Sequence, residues 1–252
     1  MERGLHLESM FEKHPVFEEP PETAHIWRYM SFGKYVSLLS RQALYFYRTD
    51  KLQDVYEGRL PKPTYEATHE RLRAGYDDTR HNTILNCWSL GEYESVALWH
   101  IYVPNREGVA IRSSFGRLKD SFRAEGVFQH ARVHIGLVRY IDFNQHDFVG
   151  PDRTAFNTFI PLMHKRRYFE YEREVRAVIS GLGTSLLDTL IRQSDGLYVP
   201  ISLSGLIESI HIAPDAPFWL LEAVRHTTKI HGLNPELVTQ SGLDEPPPGY
   251  GS

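Results

Sequence analysis

A strand-forming segment in the last third of the chain carries more acidic charge than one sheet face accepts without compensation. The segment 169–179 reads Phe-Glu-Tyr-Glu-Arg-Glu-Val-Arg-Ala-Val-Ile. Its β-branched second half favours a strand, whereas its first half fits a helix as well. Read as a strand throughout, it places Glu170, Glu172, Glu174 and Arg176 on one face. Such a row needs either solvent or partner cations, because aligned carboxylates repel each other.

The composition is that of an ordinary globular protein. The chain has 252 residues, of which 41% are hydrophobic and 24% are charged, with a formal net charge of −4. No apolar run approaches the roughly 18–20 residues of a membrane span, and the first 22 residues lack the pattern of a signal peptide. A single cysteine, Cys87, excludes an internal disulfide and fits a reducing compartment. We therefore expect a cytoplasmic protein with no membrane partner. Any binding of nucleic acid would be local, near the basic run 165–167.

The chain shows no repeat and no convincing internal linker. We expect an N-terminal arm over 1–24, one domain over 25–240, and a disordered tail over 241–252, which is rich in proline and glycine. The predicted strands cover 26–30, 43–47, 82–89, 108–113, one or two segments within 127–142, the second half of 169–179, and 206–212. The predicted helices begin after Ser31 and cover 63–76, 95–102, 114–122, 156–164, 186–191 and 217–231. Because helices and strands mix without strict alternation, the fold class is α+β, with a mixed or antiparallel β core and surrounding helices.

Three arginines stand in apolar strand settings and need either solvent or an anion. Arg28 lies between two aromatic residues, Arg48 ends an aromatic strand, and Arg112 ends another apolar strand. We predict that they face the row formed by Glu172 and Glu174. The arrangement is either a purely structural ion network or a site that holds a diphosphate and leaves one glutamate for catalysis. We predict no metal site at His130 and His134, which are four residues apart but lie in a strand-like segment.

Several segments together resemble a bacterial family of domains of unknown function, DUF2971. The opening 26–30 and the segment Leu44-Tyr-Phe-Tyr-Arg-Thr-Asp-Lys-Leu-Gln-Asp-Val-Tyr-Glu-Gly58 are similar to its first signature. Leu52 and Val55 depart from the Phe and Pro of that pattern. Cys87-Trp-Ser89, Ala97–Tyr102 and 108–111 resemble the middle signature, Glu172-Arg-Glu-Val-Arg176 the late one, and 206–210 the last strand. The resemblance covers about residues 25–238 and implies a fold but no activity.

A looser resemblance does imply an activity. The order of polar and aromatic strands, followed by a late strand with a glutamate, is similar to that of ADP-ribosyltransferases, above all the DNA-modifying DarT toxins. This resemblance implies an ADP-ribosyltransferase-like fold and a bacterial toxin or antiphage effector that uses NAD as substrate, with a nucleic acid or a protein as acceptor. Glu174, with Glu172 second, would stabilise an oxocarbenium-like ribosyl transition state. The residues implied for NAD binding are Arg28, Tyr45, Arg48, Ser89, Trp99, Arg112 and Arg176.

Two other functions remain open from the residues alone. A Mg²⁺-dependent nuclease or phosphotransfer enzyme would use an acidic cluster of Asp50, Asp54, Glu57, Glu172 and Glu174. A non-enzymatic module would bind a nucleotide or a partner protein through the same charged residues. Its mark would be glutamates locked in salt bridges with no open pocket beside them.

Overall fold

The fold was analysed in a computed structural model, which describes residues 9–148 and 157–243. The protein is α+β with mostly antiparallel strand pairs, as predicted. The strands are β1 (His25–Ser31), β2 (Ala43–Arg48), β3 (Thr83–Leu90), β4 (Gly108–Ser114), β5 (His134–Leu137), β6 (Arg139–Ile141), β7 (His164–Arg166), β8 (Glu174–Ser180), β9 (Gly196–Pro200), β10 (Ser209–Ile212) and β11 (Val238–Gln240). The α-helices are α1 (Phe32–Arg41), α2 (Lys62–Ala67), α3 (Glu70–His81), α4 (Val96–Tyr102), α5 (Phe115–Ser121), α6 (Ser185–Gln193), α7 (Leu203–Leu206) and α8 (Phe218–Ile230).

The chain divides into two compact units. The first unit comprises the described parts of 1–20, 44–88 and 122–200, and the second comprises those of 21–43, 89–121 and 201–252. The extent of the single domain expected over 25–240 stays a prediction. No helix among the described residues is both long and apolar enough to span a membrane.

In the first unit, the strands follow the spatial order β9, β2, β3, β8 and β5. β5 pairs antiparallel with β8, and β6 and β7 form a separate parallel pair. Met10 and Phe17 of the N-terminal segment are buried in this unit. A glycine in β5 permits this packing, because a Cβ atom at Gly136 would lie 2.9 Å from the Phe17 Cα atom.

In the second unit, the strands follow the spatial order β11, β10, β4 and β1, and the last two residues of β3 pair with β1. β1, β4 and β10 pair antiparallel, whereas β10 and β11 are parallel. Successive residues of these strands lie on opposite faces of the sheet, and both faces carry buried apolar side chains. One face carries Ile26, Ile111 and Ile210, and α1 and α5 make contacts with the same strands. The opposite face carries Trp27, Tyr29 and Ala110, which pack against α4.

The acidic segment differs from a continuous strand. Residues 167–172 form a 3₁₀-helix, Arg173 adopts a left-handed conformation with φ 43°, and β8 begins only at Glu174. The prediction of a strand in the second half is confirmed, but the single row of carboxylates on one strand face is wrong. Glu170 is exposed. Glu172 is buried, but it is the last residue of the 3₁₀-helix that precedes β8 and not a residue of the strand.

Three further expectations need correction. The helix predicted over 63–76 is two helices, α2 and α3, which are separated at Thr68 and His69. The helix predicted over 156–164 is a 3₁₀-turn from Pro161 to Met163 followed by β7, and residue 156 lies outside the described residues. The strand predicted over 206–212 begins at Ser209, after the short helix α7. The short strands β9 and β11 were not predicted. Most of the predicted tail, from 244 onward, also lies outside the described residues.

Candidate functional sites

Five charged side chains form a buried ion network in the first unit, namely Glu57, Lys165, Glu172, Glu174 and Arg176. They come from four places in the sequence. Glu57 lies in the turn before Gly58, Lys165 in β7, Glu172 in the 3₁₀-helix, and Glu174 and Arg176 two residues apart on one face of β8. The strand period of two residues thus supplies one glutamate and its arginine, and tertiary folding supplies the rest.

Arg176 and Lys165 hold the three carboxylates at short distances. The Arg176 guanidinium donates to both Glu174 oxygens, with Nε at 2.9 Å and one NH₂ group at 3.0 Å, and its other NH₂ group lies 3.0 Å from Glu57. Lys165 Nζ lies 2.6 Å from Glu172, 3.2 Å from Glu174 and 3.4 Å from Glu57. Arg176 is completely buried and Glu174 is only 3% exposed.

The pKa shifts follow from this geometry. Burial raises the pKa of Glu174, but Arg176 and Lys165 outweigh it and hold that pKa at about 2. Burial is also the largest cause for Glu172, and it leaves the pKa of that carboxyl above its usual value despite Lys165. Burial raises the pKa of the neighbouring Cys87 thiol, and the charge of Glu174 raises it further, so Cys87 is not an activated nucleophile.

Two of the three arginines that were predicted to face the glutamates, Arg48 and Arg112, pair with other groups. Arg48 donates instead to Asp50 and to the backbone carbonyls of Ile191, Arg192 and Ser194 at the end of α6. Arg112, in the second unit, pairs with Glu208. Sequence reasoning identified the acidic residues and Arg176, but it overlooked the role of Lys165, whose only signal was its place in the densest basic run.

The acidic cluster considered for Mg²⁺ is engaged by cationic side chains. Asp50 is bound by Arg48, Asp54 by Arg166 at 2.9 Å, and the three glutamates by Lys165 and Arg176. Within 9–148 and 157–243, no group of three or more His, Cys, Asp or Glu side chains is arranged to hold a metal ion. The Mg²⁺-dependent alternative therefore lacks a ligand set in the described residues.

The remaining predicted residues fall into separate places. Tyr45 packs edge-on against Tyr47 and Tyr198 in the first unit, with ring centroids 4.7 and 4.9 Å away. In the second unit, Ser89 and Arg112 share a sheet face, because both are cross-strand partners of Trp27. Arg28 follows Trp27 in β1 and therefore lies on the opposite face. A cavity of about 250 Å³ in the first unit is lined by none of the predicted residues but by Gly58, Arg59, Leu60, Tyr65, Arg73, Tyr76 and Asp77.

Trp99 is hydrogen-bonded to a second polar cluster, which lies in the second unit. Its indole Nε1 donates to Glu94 Oε2 at 2.9 Å, and the other carboxylate oxygen of Glu94 lies 3.0 Å from His211 Nδ1. His211 Nε2 lies 3.0 Å from the Ser209 hydroxyl oxygen. Ser209, His211 and Glu94 therefore form a continuous hydrogen-bonded triad.

Local structure explains how this triad is assembled. Ser209 and His211 are two residues apart in β10 and share one face, and the cross-strand partner of His211 is the small residue Ala110. The Trp27 ring packs edge-on against the imidazole with centroids 5.0 Å apart. The loop that carries Glu94 is fixed at its start by a hydrogen bond from Trp27 Nε1 to Gly91 O and at its end by one from Ser95 N to Tyr29 Oη.

Electrostatics assign the tautomer. Burial raises the pKa of Glu94, but hydrogen bonds from His211, Ser241 and Trp99 outweigh it, so the net pKa lies below the usual value. An ionised Glu94 only accepts hydrogen bonds, so in the neutral imidazole of His211 the Nδ1 atom carries the proton and Nε2 accepts the Ser209 O–H. The sequence signal for the pair was the alternation Ser-x-His in a predicted strand, whereas nothing local in the sequence indicates Glu94.

Comparison of the chain with models of known protein families, with curated proteins and with solved structures finds no match. The resemblances described above from the sequence therefore stay predictions.

Proposed function

We propose that this protein is a serine-type hydrolase that acts on carboxylic esters or related acyl compounds. The observation that carries the proposal is the Ser209–His211–Glu94 triad, with both links at 3.0 Å. A serine hydroxyl is a weak nucleophile by itself, and it is activated when an adjacent imidazole accepts its proton and a carboxylate orients that imidazole. These roles are defined by geometry and recur on unrelated folds.

The reaction follows from the direction of the hydrogen bonds. Ser209 Oγ attacks the carbonyl carbon of the ester while its proton passes to His211 Nε2. The carbon–oxygen bond to the alcohol then breaks, and the alcohol leaves with the proton from His211. A water molecule, deprotonated by His211, cleaves the acyl-serine, which releases a carboxylic acid and restores Ser209. Glu94 remains ionised throughout and stabilises the imidazolium.

Covalent labelling tests the proposal directly. The full-length protein is treated with a fluorophosphonate probe, and the modified residue is located by peptide mass spectrometry. We expect a label on Ser209 that is lost in Ser209→Ala and in His211→Gln. The exposed serine of α7 supplies the matched control, so Ser204→Ala should label as wild type does. A folded wild-type protein that takes no label at Ser209 would overturn the proposal.

The predicted NAD reaction would require a rearrangement around its catalytic residue, Glu174. Glu174 is 3% exposed and is bound by Arg176 and Lys165, so it would have to leave both cations to contact a ribose ring. What supports this second proposal is the low pKa of Glu174, because an ionised carboxylate is what an oxocarbenium-like transition state needs. Nicotinamide release from NAD, with and without DNA, RNA or protein, tests it. Equal release by wild type and Glu174→Gln would reject it.

A further inference from the structure

Arg112 is the direct cross-strand neighbour of the proposed nucleophile. It pairs with Ser209 in the antiparallel register between β4 and β10, so both side chains lie on the same sheet face. Directly opposed residues in such a pair have Cβ atoms about 4.5–5.5 Å apart. The guanidinium of Arg112 is therefore within reach of a group bonded to the Ser209 hydroxyl.

The Nε–H group of that guanidinium has an unusual environment. A terminal NH₂ group of Arg112 donates to Glu208 Oε1, whereas the Nε atom is buried and has no hydrogen-bond partner among the described residues. A buried N–H group without an acceptor destabilises the folded protein, and such groups in native proteins call for an explanation. An acceptor supplied by a bound substrate would remove that cost.

Solvent reaches part of the Arg112 side chain, whereas its Nε atom is covered, so contact between Nε and a substrate requires a small movement of that side chain. The Arg112 and Glu208 side chains are each 31% exposed, whereas Glu94 and His211 are 12% and 18% exposed. The half-buried Ser209 thus lies at the end of the triad that adjoins the more exposed side chains. The positive charge of Arg112 is balanced by Glu208, so this region has no net preference for an anion, and the aromatic ring of Trp27 lies next along the same face.

We propose that Arg112 Nε donates a hydrogen bond to the carbonyl oxygen of an uncharged carboxylic ester, and that this bond strengthens as the oxygen becomes negative. The inference rests on the proposed hydrolase function. When Ser209 Oγ attacks, the carbonyl π electrons move to that oxygen, and the Ser209 proton moves to His211. A preorganised donor at the developing oxyanion stabilises the transition state more than the ground state.

The rate of Ser209 phosphonylation separates this role from a structural one, because the attack on the probe also develops negative charge on oxygen. We expect Arg112→Met to lower the labelling rate constant by about 10²–10³-fold, the usual effect of losing one oxyanion donor. Hydrolysis of p-nitrophenyl acetate should show the same fall in kcat with little change in KM. Thermal denaturation of each variant establishes that it is folded.

Two matched variants control the result. Arg106→Met removes an exposed arginine of the same unit that pairs with Asp215, and it should label at the wild-type rate. Glu208→Gln removes the partner of Arg112 but keeps Nε, so its rate should fall much less than that of Arg112→Met. Wild-type labelling at Ser209 with an unchanged rate in Arg112→Met would overturn the role of Arg112, as would an equal fall in Glu208→Gln. Absence of wild-type labelling would instead overturn the hydrolase itself.

Discussion

The two polar clusters differ in where their hydrogen bonds end. In the buried ion network, each carboxylate meets Lys165 or Arg176, and the surrounding residues exclude solvent. In the triad, the chain of bonds runs from Trp99 through Glu94 and His211 and ends at the Ser209 hydroxyl on the more exposed side. The ion network is a closed set of paired charges, whereas the triad ends at a hydroxyl group that the proposed function uses as its nucleophile.

If the proposed hydrolase function holds, the charged residues that are densest in the sequence are not the reactive ones. Burial of two cations and three carboxylates is tolerated only when each group is closely paired, and a substrate of such a network would have to displace one of these pairs. The triad contains one carboxylate, and its other two members, Ser209 and His211, lie in a sequence segment without a cluster of charged residues. Its proposed reactivity rests on the direction and length of two hydrogen bonds rather than on the number of charges.

The largest effect that distinguishes the two clusters is expected at Glu94. Glu94→Gln keeps the shape of the side chain but replaces the charged acceptor of the His211 Nδ1–H bond with an amide. The imidazole then loses its preferred tautomer, and we expect the Ser209 labelling rate to fall by about 10³–10⁴-fold. Glu92→Gln, a change at an exposed residue of the same loop that pairs with His25, should have no such effect. Equal rates in both variants would mean that Glu94 only fixes the loop.

The second effect concerns stability rather than turnover. Arg176→Met leaves Glu174 and Glu57 buried with one cation fewer, so we expect the free energy of unfolding to fall by about 3–5 kcal/mol, measured by urea denaturation. Arg192→Met breaks pairs with Asp78 and Asp188 at the surface and should cost about 1 kcal/mol, less than the loss in Arg176→Met. If Arg176→Met unfolds at the wild-type urea concentration, the network does not stabilise the fold.

Regular periodicity accounts for the parts of the fold that were predicted. The helix predicted after Ser31 is α1, whose buried face carries Tyr35, Leu38 and Leu39 at helical spacing, and the second half of the acidic segment is β8. The break between α2 and α3 was missed because neither Thr68 nor His69 is a strong helix breaker. β9 and β11 are too short to show a pattern of their own.

The two polar clusters were predicted less completely than the helices and strands, because they depend on contacts between residues that are distant in the sequence. Glu174 and Arg176 were found together because a strand places them on one face, but Glu57 and Lys165 join them only through tertiary folding. The same holds for the triad. Ser209 and His211 follow strand alternation, whereas Glu94 reaches them from a loop whose position depends on Trp27 and Tyr29.

The smallest of the expected effects is an acid sensitivity that involves neither cluster directly. Burial lowers the pKa of His164 from 6.5 to about 4, against a hydrogen bond from its ring to the Ile160 carbonyl. Because the unfolded chain binds the proton more readily, the stability from neutral His164 is complete above pH 6.5 and is lost as the pH falls towards 4. Between pH 7 and pH 5 we expect a loss of about 2 kcal/mol in the free energy of unfolding.

Urea denaturation at pH 7, 6 and 5 measures this loss and separates it from that of the ion network. The pKa of Glu174 is lowered from 4.5 to about 2, so its contribution is lost only below pH 4.5 and does not overlap this range. His164→Gln removes the titrating ring and should flatten the decline between pH 7 and pH 5, whatever its stability at pH 7. Glu172→Gln removes a carboxyl whose raised pKa opposes the decline, so this variant should retain the decline or steepen it. An equally steep decline in His164→Gln would assign the acid sensitivity to another histidine, of which the half-buried His14 is the first to test, because burial lowers its pKa as well.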